Sequence, residues 1–411
     1  MPPVTRLIGL TLSSAIGVVS TFVLAAGVAR VLSVEEFGIT RVATAYLVIV
    51  CMLGLFAVHD ALASTVARAV RPEGVADLFA SATALIGAAS GIVVLVSMSL
   101  LLVVGYGSPA LSRGLLLLTL VLPLLAVTQA YNAVLQAVGS YRGCMITQIA
   151  SGVVPLVVIW PASIIWSIDG WIGARILSVV LLFVLSLALV MPYQRGGQVR
   201  LPVLRELWQF SRLQIVSGLL STALMTADVL LLERLTGNLA VVANYALGSL
   251  VPRASGFLPS AIGRAYFSRL GRGSEGLSVR FEFLVVNLVA GLGVGTVMAM
   301  AGPRLIELFF GSDYEVAGRV IVVWSAALVA MFHWQAVSIV NVAVGKPARS
   351  VSISLAGVLV GIPGLLLLIP QAGAVGAAWA CAIAYWAGPL VGTWNLRADG
   401  LLAFRAVSAL R

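Results

Sequence analysis

The chain has 411 residues, of which 61 % are hydrophobic and only 10 % charged, and its mean hydropathy is +1.09. A soluble globule needs far more polar surface than this, so a soluble enzyme or a nucleic-acid-binding domain is excluded and a polytopic membrane protein is left. The net charge of +10 comes from 25 basic residues, with lysine only at Lys346, and suits membrane lipids of an anionic leaflet or an anionic substrate.

Apolar runs of about 20 residues are long enough to cross a bilayer. In the first half they begin near Leu7, Ile39, Leu78, Gly114, Cys144 and Ile172, and in the second near Phe210, Asn238, Phe281, Gly318, Val351 and Gly373. The prediction is therefore an all-α membrane protein of twelve transmembrane helices. Residues 1–195 form an N-terminal six-helix half, 196–212 a basic cytoplasmic linker, 213–395 a C-terminal six-helix half and 396–411 a tail. That tail mixes Leu401, Leu402 and Phe404 with Arg397, Arg405 and Arg411, as an interfacial helix would, although a frayed terminus fits equally. The first run, Leu7 to Ala29, is long for a secretory signal and is read as a retained helix. Cys51, Cys144 and Cys381 are odd in number and lack ligand spacing, so neither a disulfide framework nor a metal site is expected.

Arginines favour cytoplasmic loops, and most of them fall there if both termini are inside. The opposite connections are acidic or neutral, carrying Glu35 and Glu36, Asp169, and Glu307, Asp313 and Glu315.

Span eight, Val241 to Ile262, is unusual in holding Pro252, Arg253, Gly256 and Pro259. At a rise of 1.5 Å per residue, Arg253 lies roughly 18 Å along it. An arginine at that depth is expected to face water, protein or an anion, or else to snorkel from a helix that ends early.

Two halves of six spans enter the membrane in the same direction, and internal landmarks support a repeat. Gly139 pairs with Gly345 at an offset of 206, Gly170 with Gly373 at 203, and Arg30 with Arg234 at 204. Parallel repeats of this kind place a binding cavity between the halves and work by alternating access.

The run Arg30-Val-Leu-Ser-Val-Glu-Glu-Phe-Gly38 resembles a signature of bacterial polysaccharide-export flippases. Leu305 to Tyr314, Asn341 to Lys346 and Ile369 to Ala378 are similar to further motifs of the Wzx-like members of the MOP (multidrug, oligosaccharidyl-lipid, polysaccharide) superfamily. The resemblance implies a MOP-type fold around a central cationic cavity in the bacterial cytoplasmic membrane. It also implies a flippase for polyprenyl-pyrophosphate-linked oligosaccharide, working beside polysaccharide assembly proteins.

Within that reading Arg253, Arg30 and Arg41 are the candidates for the pyrophosphate, because a guanidinium offers two parallel hydrogen bonds to a phosphate. Arg30 suits an interfacial anchor paired with Glu35 or Glu36 as well. Gln129, Asn132 and Gln136 share a helix face that would bind sugar hydroxyls or neighbouring helices. Asp228 is placed to neutralise Arg253, bind a coupling cation or carry a proton. His333, and Asp60 beside His59, are further titratable candidates for coupling to H+ or Na+, with hydrogen-bonded packing as the plainer role for each histidine. No cofactor is expected, and no nucleotide-binding loop occurs. The rival readings are a multidrug antiporter of the same superfamily, an envelope glycosyltransferase or polymerase, and an assembly scaffold.

Overall fold

The computed structural model describes residues 3–55, 72–104, 108–138, 140–194, 196–270, 276–344, 346 and 348–401. Among them every regular element is helical. In order these are α1 (Pro3–Val31), α2 (Val34–Leu55), α3 (Pro72–Val104), α4 (Pro109–Leu120), α5 (Leu122–Ala137) and α6 (Tyr141–Gln194). There follow α7 (Leu201–Thr236), α8 (Leu239–Ala254), α9 (Phe257–Leu270), α10 (Gly276–Phe310), a 3-10 turn (Ser312–Tyr314), α11 (Glu315–Ala343) and α12 (Ala348–Ala398).

Among the described residues α2, α3, α6, α10, α11 and α12 are long and apolar enough to cross a membrane, and α4 with α5, bent by 49°, adds a seventh span if counted as one. Leu102, Val103, Met300 and Leu308 are between 72 % and 84 % exposed, a cost no water-soluble surface would carry in such numbers. The protein is a multi-pass membrane protein.

The chain divides into two compact units, Met1–Thr222 and Ala223–Arg411. The segment expected as a linker, 196–212, is only partly one, because α7 already begins at Leu201. Its non-helical part is tied down: Asp77 on α3 accepts from the Gln198 amide at 2.8 Å and from Arg200 Nε at 2.7 Å. The predicted tail boundary also moves, since Leu396 to Ala398 continue α12, and 402–411 lie outside the described residues.

In the first unit, α1 turns into α2 through a capping box. Ser33 Oγ accepts from the Glu36 amide at 3.2 Å, and Glu36 returns a carboxylate oxygen to the Ser33 amide at 3.0 Å. A straight helix of the 54 residues of α6 would be about 80 Å long, far more than a bilayer. It is broken at Trp166 and Ser167 into two arms. Ser167 sits at φ 51°, ψ −132°, and its hydroxyl donates to the other oxygen of Glu36 at 2.5 Å, so one carboxylate serves both turns.

In the second unit, Gly237 at φ 60° ends α7 and Asn238 caps α8 by accepting from the amides of Ala240 and Val241. The run Val241 to Ile262, expected as one span, is two helices: α8 stops at Ala254 and α9 starts at Phe257. The intervening Ser255 and Gly256 amides turn back onto Val251 and Arg253 carbonyls. The 51 residues of α12 break at Gly373, φ 53°, ψ −126°. Leu270, Phe283, Val337, Val340, Ile353 and Leu396 bind α9 to α12 into one apolar core.

Helix starts recur between the halves. From α2 to α8 the step is 239 − 34 = 205, from α3 to α10 it is 276 − 72 = 204, from α4 to α11 it is 315 − 109 = 206, and from α6 to α12 it is 348 − 141 = 207. Ser167 and Gly373 share one backbone conformation at a step of 373 − 167 = 206. Gly170 and Gly376, also 376 − 170 = 206 apart, share one environment: an added Cβ would lie 2.1 Å from the Ala162 carbonyl oxygen in the first and 2.0 Å from that of Leu368 in the second. The pairing of Gly170 with Gly373 is thereby corrected by three residues. Glycines three residues apart, Gly170 with Gly173 and Gly373 with Gly376, follow or form each turn, and sequence spacing alone matched them one step out of register.

Candidate functional site

The second unit buries a charged cluster. Asp228 on α7 is 0 % exposed, and its Oδ2 accepts from Arg253 Nη2, from the Tyr245 hydroxyl and from Cys381 Sγ, the last at 3.3 Å. Oδ1 accepts from the Val229 amide at 2.8 Å. Arg253, on the last turn of α8, donates its other fork nitrogen to the Met225 carbonyl and lies 4.7 Å from the centroid of the Trp324 ring. Its side chain is 20 % exposed, and Nε has no hydrogen-bond partner. The fork expected to receive an anion is thus engaged by a carboxylate and a carbonyl. Taking both charges out of water is costly, and these contacts offset that cost, so removing either partner would leave the other buried and uncompensated.

The first unit holds a different polar site. Leu125, Thr128, Gln129 and Asn132 of α5 face Thr147, Ser151 and Pro155 on the first arm of α6 and Arg175, Ser178, Val179, Leu182 and Ser186 on the second. They enclose a cavity of about 160 Å³. Gln129 and Asn132 do share this face, as expected, whereas the side chain of Gln136 lies outside the described residues.

The other candidates are dispersed. Arg30 is exposed on the last turn of α1, and Arg41 on α2 stacks its guanidinium carbon 4.5 Å from the Phe37 ring one turn earlier. His333 Nε2 shares a hydrogen bond with Thr393 Oγ1 at 3.0 Å, joining α11 to α12. Asp60 and His59 lie outside the described residues. Just beyond α12, Asp399 accepts from Lys346 at 2.5 Å and from Arg349, and these two hydrogen bonds hold its carboxyl below the usual carboxylate range.

Tyr245, Trp324, Cys381 and Arg175 were not anticipated. Tyr245 precedes Arg253 by eight residues, about 80° round an α-helix, which keeps both within one broad stripe. Arg175 and Cys381 each follow their turn glycine by five residues, 175 − 170 and 381 − 376.

The profile of a family described as polysaccharide biosynthesis protein matches residues 28–319. No curated protein matches the sequence. Among solved structures, the lipid II flippase MurJ in its inward closed conformation aligns over 96 % of this chain and 87 % of its own, with TM-score 0.77 and 12 % identity. An inward-facing multidrug resistance MATE family transporter of the MOP superfamily aligns over 93 % and 95 %, with TM-score 0.70 and 16 % identity. A MOP superfamily transporter from Pyrococcus furiosus, described by the reverse polarity of its binding pocket, aligns over 96 % of both chains, with TM-score 0.69 and 15 % identity. At such identities these likenesses establish the fold. The chain has the fold of MOP superfamily transporters and, by the match across most of its length, belongs to the polysaccharide biosynthesis protein family.

Proposed function

We propose that the protein is a flippase that carries polyprenyl-pyrophosphate-linked oligosaccharide across the bacterial cytoplasmic membrane by alternating access. The observation that carries this reading is the family match over residues 28–319. The lipid II flippase among its structural neighbours is in keeping with a lipid-linked substrate. The arrangement proposed is twelve transmembrane helices in two parallel six-helix repeats around a central cavity, with both termini cytoplasmic. The recurrence of helix starts at steps of 204 to 207 supports it.

In this mechanism Arg253 and Asp228 act as a pair. A proton or Na+ taken up by Asp228 weakens its hold on the guanidinium, and the freed fork then serves the pyrophosphate. Arg30 and Arg41 add positive charge along the path, with Gln129 and Asn132 offering amides to sugar hydroxyls. His333 and Asp60 are secondary places for a coupling proton. The rest of the glycan assembly proteins are the expected partners.

Removal of the protein from its host should abolish surface glycan and leave lipid-linked oligosaccharide on the inner leaflet, measured by its resistance to a glycosidase added outside. Unchanged surface glycan and a glycosidase-sensitive intermediate would overturn the reading. A multidrug antiporter is favoured by one observation, the buried carboxylate of Asp228, and predicts energy-dependent efflux of cationic dyes from cells expressing the protein.

Topology is tested separately. Single cysteines placed at Arg200 and Lys346 should be labelled only from the cytoplasmic side, and those at Glu36 and Ser312 only from outside. External labelling at Lys346 would reverse the proposed orientation.

A further inference from the structure

The cavity of the first unit carries a charge that nothing in its described surroundings answers. Arg175 lies on the second arm of α6, its Nε is buried without a hydrogen-bond partner, and among the described residues no carboxylate lines the cavity. An uncompensated guanidinium at membrane depth is costly, and a counter-charge or a strong acceptor in the cavity would relieve that cost.

The rest of the wall has the opposite need. A hydroxyl has one hydrogen to give, and four of those here have given it to the backbone: Thr128 to Leu124 O at 2.7 Å, Thr147 to Cys144 O at 3.1 Å, Ser151 to Gln148 O at 2.7 Å and Ser178 to Ala174 O at 2.7 Å. Their oxygens are left able only to accept from a ligand in the cavity that these residues line. Asn132 Oδ1 is a further buried acceptor with no partner. A bare anion such as chloride would satisfy Arg175 and leave this acceptor wall unpaired, while a neutral sugar would satisfy the wall and leave the charge.

The geometry points to a site for one acidic monosaccharide unit, with its carboxylate on Arg175 and its hydroxyls donating to Asn132, Thr128, Thr147 and Ser178. This deepens the flippase reading, and rests on it for the source of the sugar, by assigning uronate-type residues to the transported glycan. The volume of about 160 Å³ holds roughly five waters and so admits a single ring. Gln129 is exposed at the cavity's edge, which leaves a way in from one side.

The test uses purified full-length protein with sodium glucuronate, glucose and sodium acetate as probes, and binding is followed by ligand-observed NMR. Glucuronate should bind saturably and about tenfold tighter than either glucose or acetate, and Arg175→Gln should erase that preference by weakening glucuronate about tenfold. Asn132→Leu should weaken glucuronate and glucose while sparing acetate. Equal binding of acetate would reduce the site to a bare anion pocket, and equal binding of glucose would remove the charge from recognition. Absence of saturable glucuronate binding would overturn the site altogether. The discrimination by the unaltered protein needs no variant, so a misfolded Arg175→Gln leaves the proposal open to refutation. Failure of glycan export in cells bears on the flippase reading alone, since the binding experiment requires no transport.

Discussion

Arg253→Ala is expected to remove most of the folded protein from the membrane, whereas the double change Asp228→Asn with Arg253→Gln is expected to retain it. The single variant strands a fully buried carboxylate whose Oδ2 keeps only Tyr245 and the weak Cys381 donor. Breaking a buried pair from one side costs about 3 to 5 kcal/mol, a large part of the roughly 5 to 15 kcal/mol that holds a typical domain. The double variant removes both charges and leaves amides able to hydrogen-bond. Membrane abundance and thermal unfolding in detergent measure the difference. Wild-type abundance and stability for Arg253→Ala would mean that the pair does not hold the unit together. The same reasoning shapes the transport experiment, because loss of export in the alanine variant is informative only at normal abundance. Arg253→Lys keeps a charge beside Asp228 and loses the fork, so it should accumulate normally and export less. Full export would confine Arg253 to its structural pairing.

Gly376→Ala and Gly170→Ala should each prevent a hairpin from closing, with little folded protein recovered. A methyl group 2.0 or 2.1 Å from a carbonyl oxygen cannot be relieved by a rotamer, because both atoms belong to, or are fixed by, backbone. Gly373→Ala is the control: its Cβ would meet only Val241 Cγ1, at 3.6 Å, so the cost there is conformational, about 1 to 3 kcal/mol for a residue held in a sparsely populated region. Protease resistance in membranes should fall sharply for the first two and modestly for the third. Similar behaviour of all three would show that the close approach of the two arms does not govern closure.

The all-helical membrane fold was readable because hydropathy acts over long stretches and does not depend on a single contact. Breaks were read less well. Pro252 and Gly256 marked the interruption after α8, yet the apolar character of Val241 to Ile262 runs straight through it, so hydropathy joined what backbone geometry separates. The bend at Ser167 carried no glycine to announce it. Its conformation is one that favours glycine, and it is held in serine by the hydrogen bond to Glu36, 131 residues away. Arg253 and Asp228 were legible as charges in oily helices. Their direct pairing was one of several open readings, since residues 25 apart on consecutive helices meet only when the packing is known. Arg175 escaped notice because it stands one residue beyond a recognised glycine motif and looks, in sequence, like one more arginine near a helix end.

Cys381 touches the buried carboxylate from α12, and Cys51 and Cys144 are buried as well. The native protein therefore presents no thiol on its resting surface. A membrane-permeant maleimide acts on it as a clock: modification of Cys381 proceeds at the rate at which the Asp228 cluster comes apart, and protection of that sulfur measures how long the cluster stays shut.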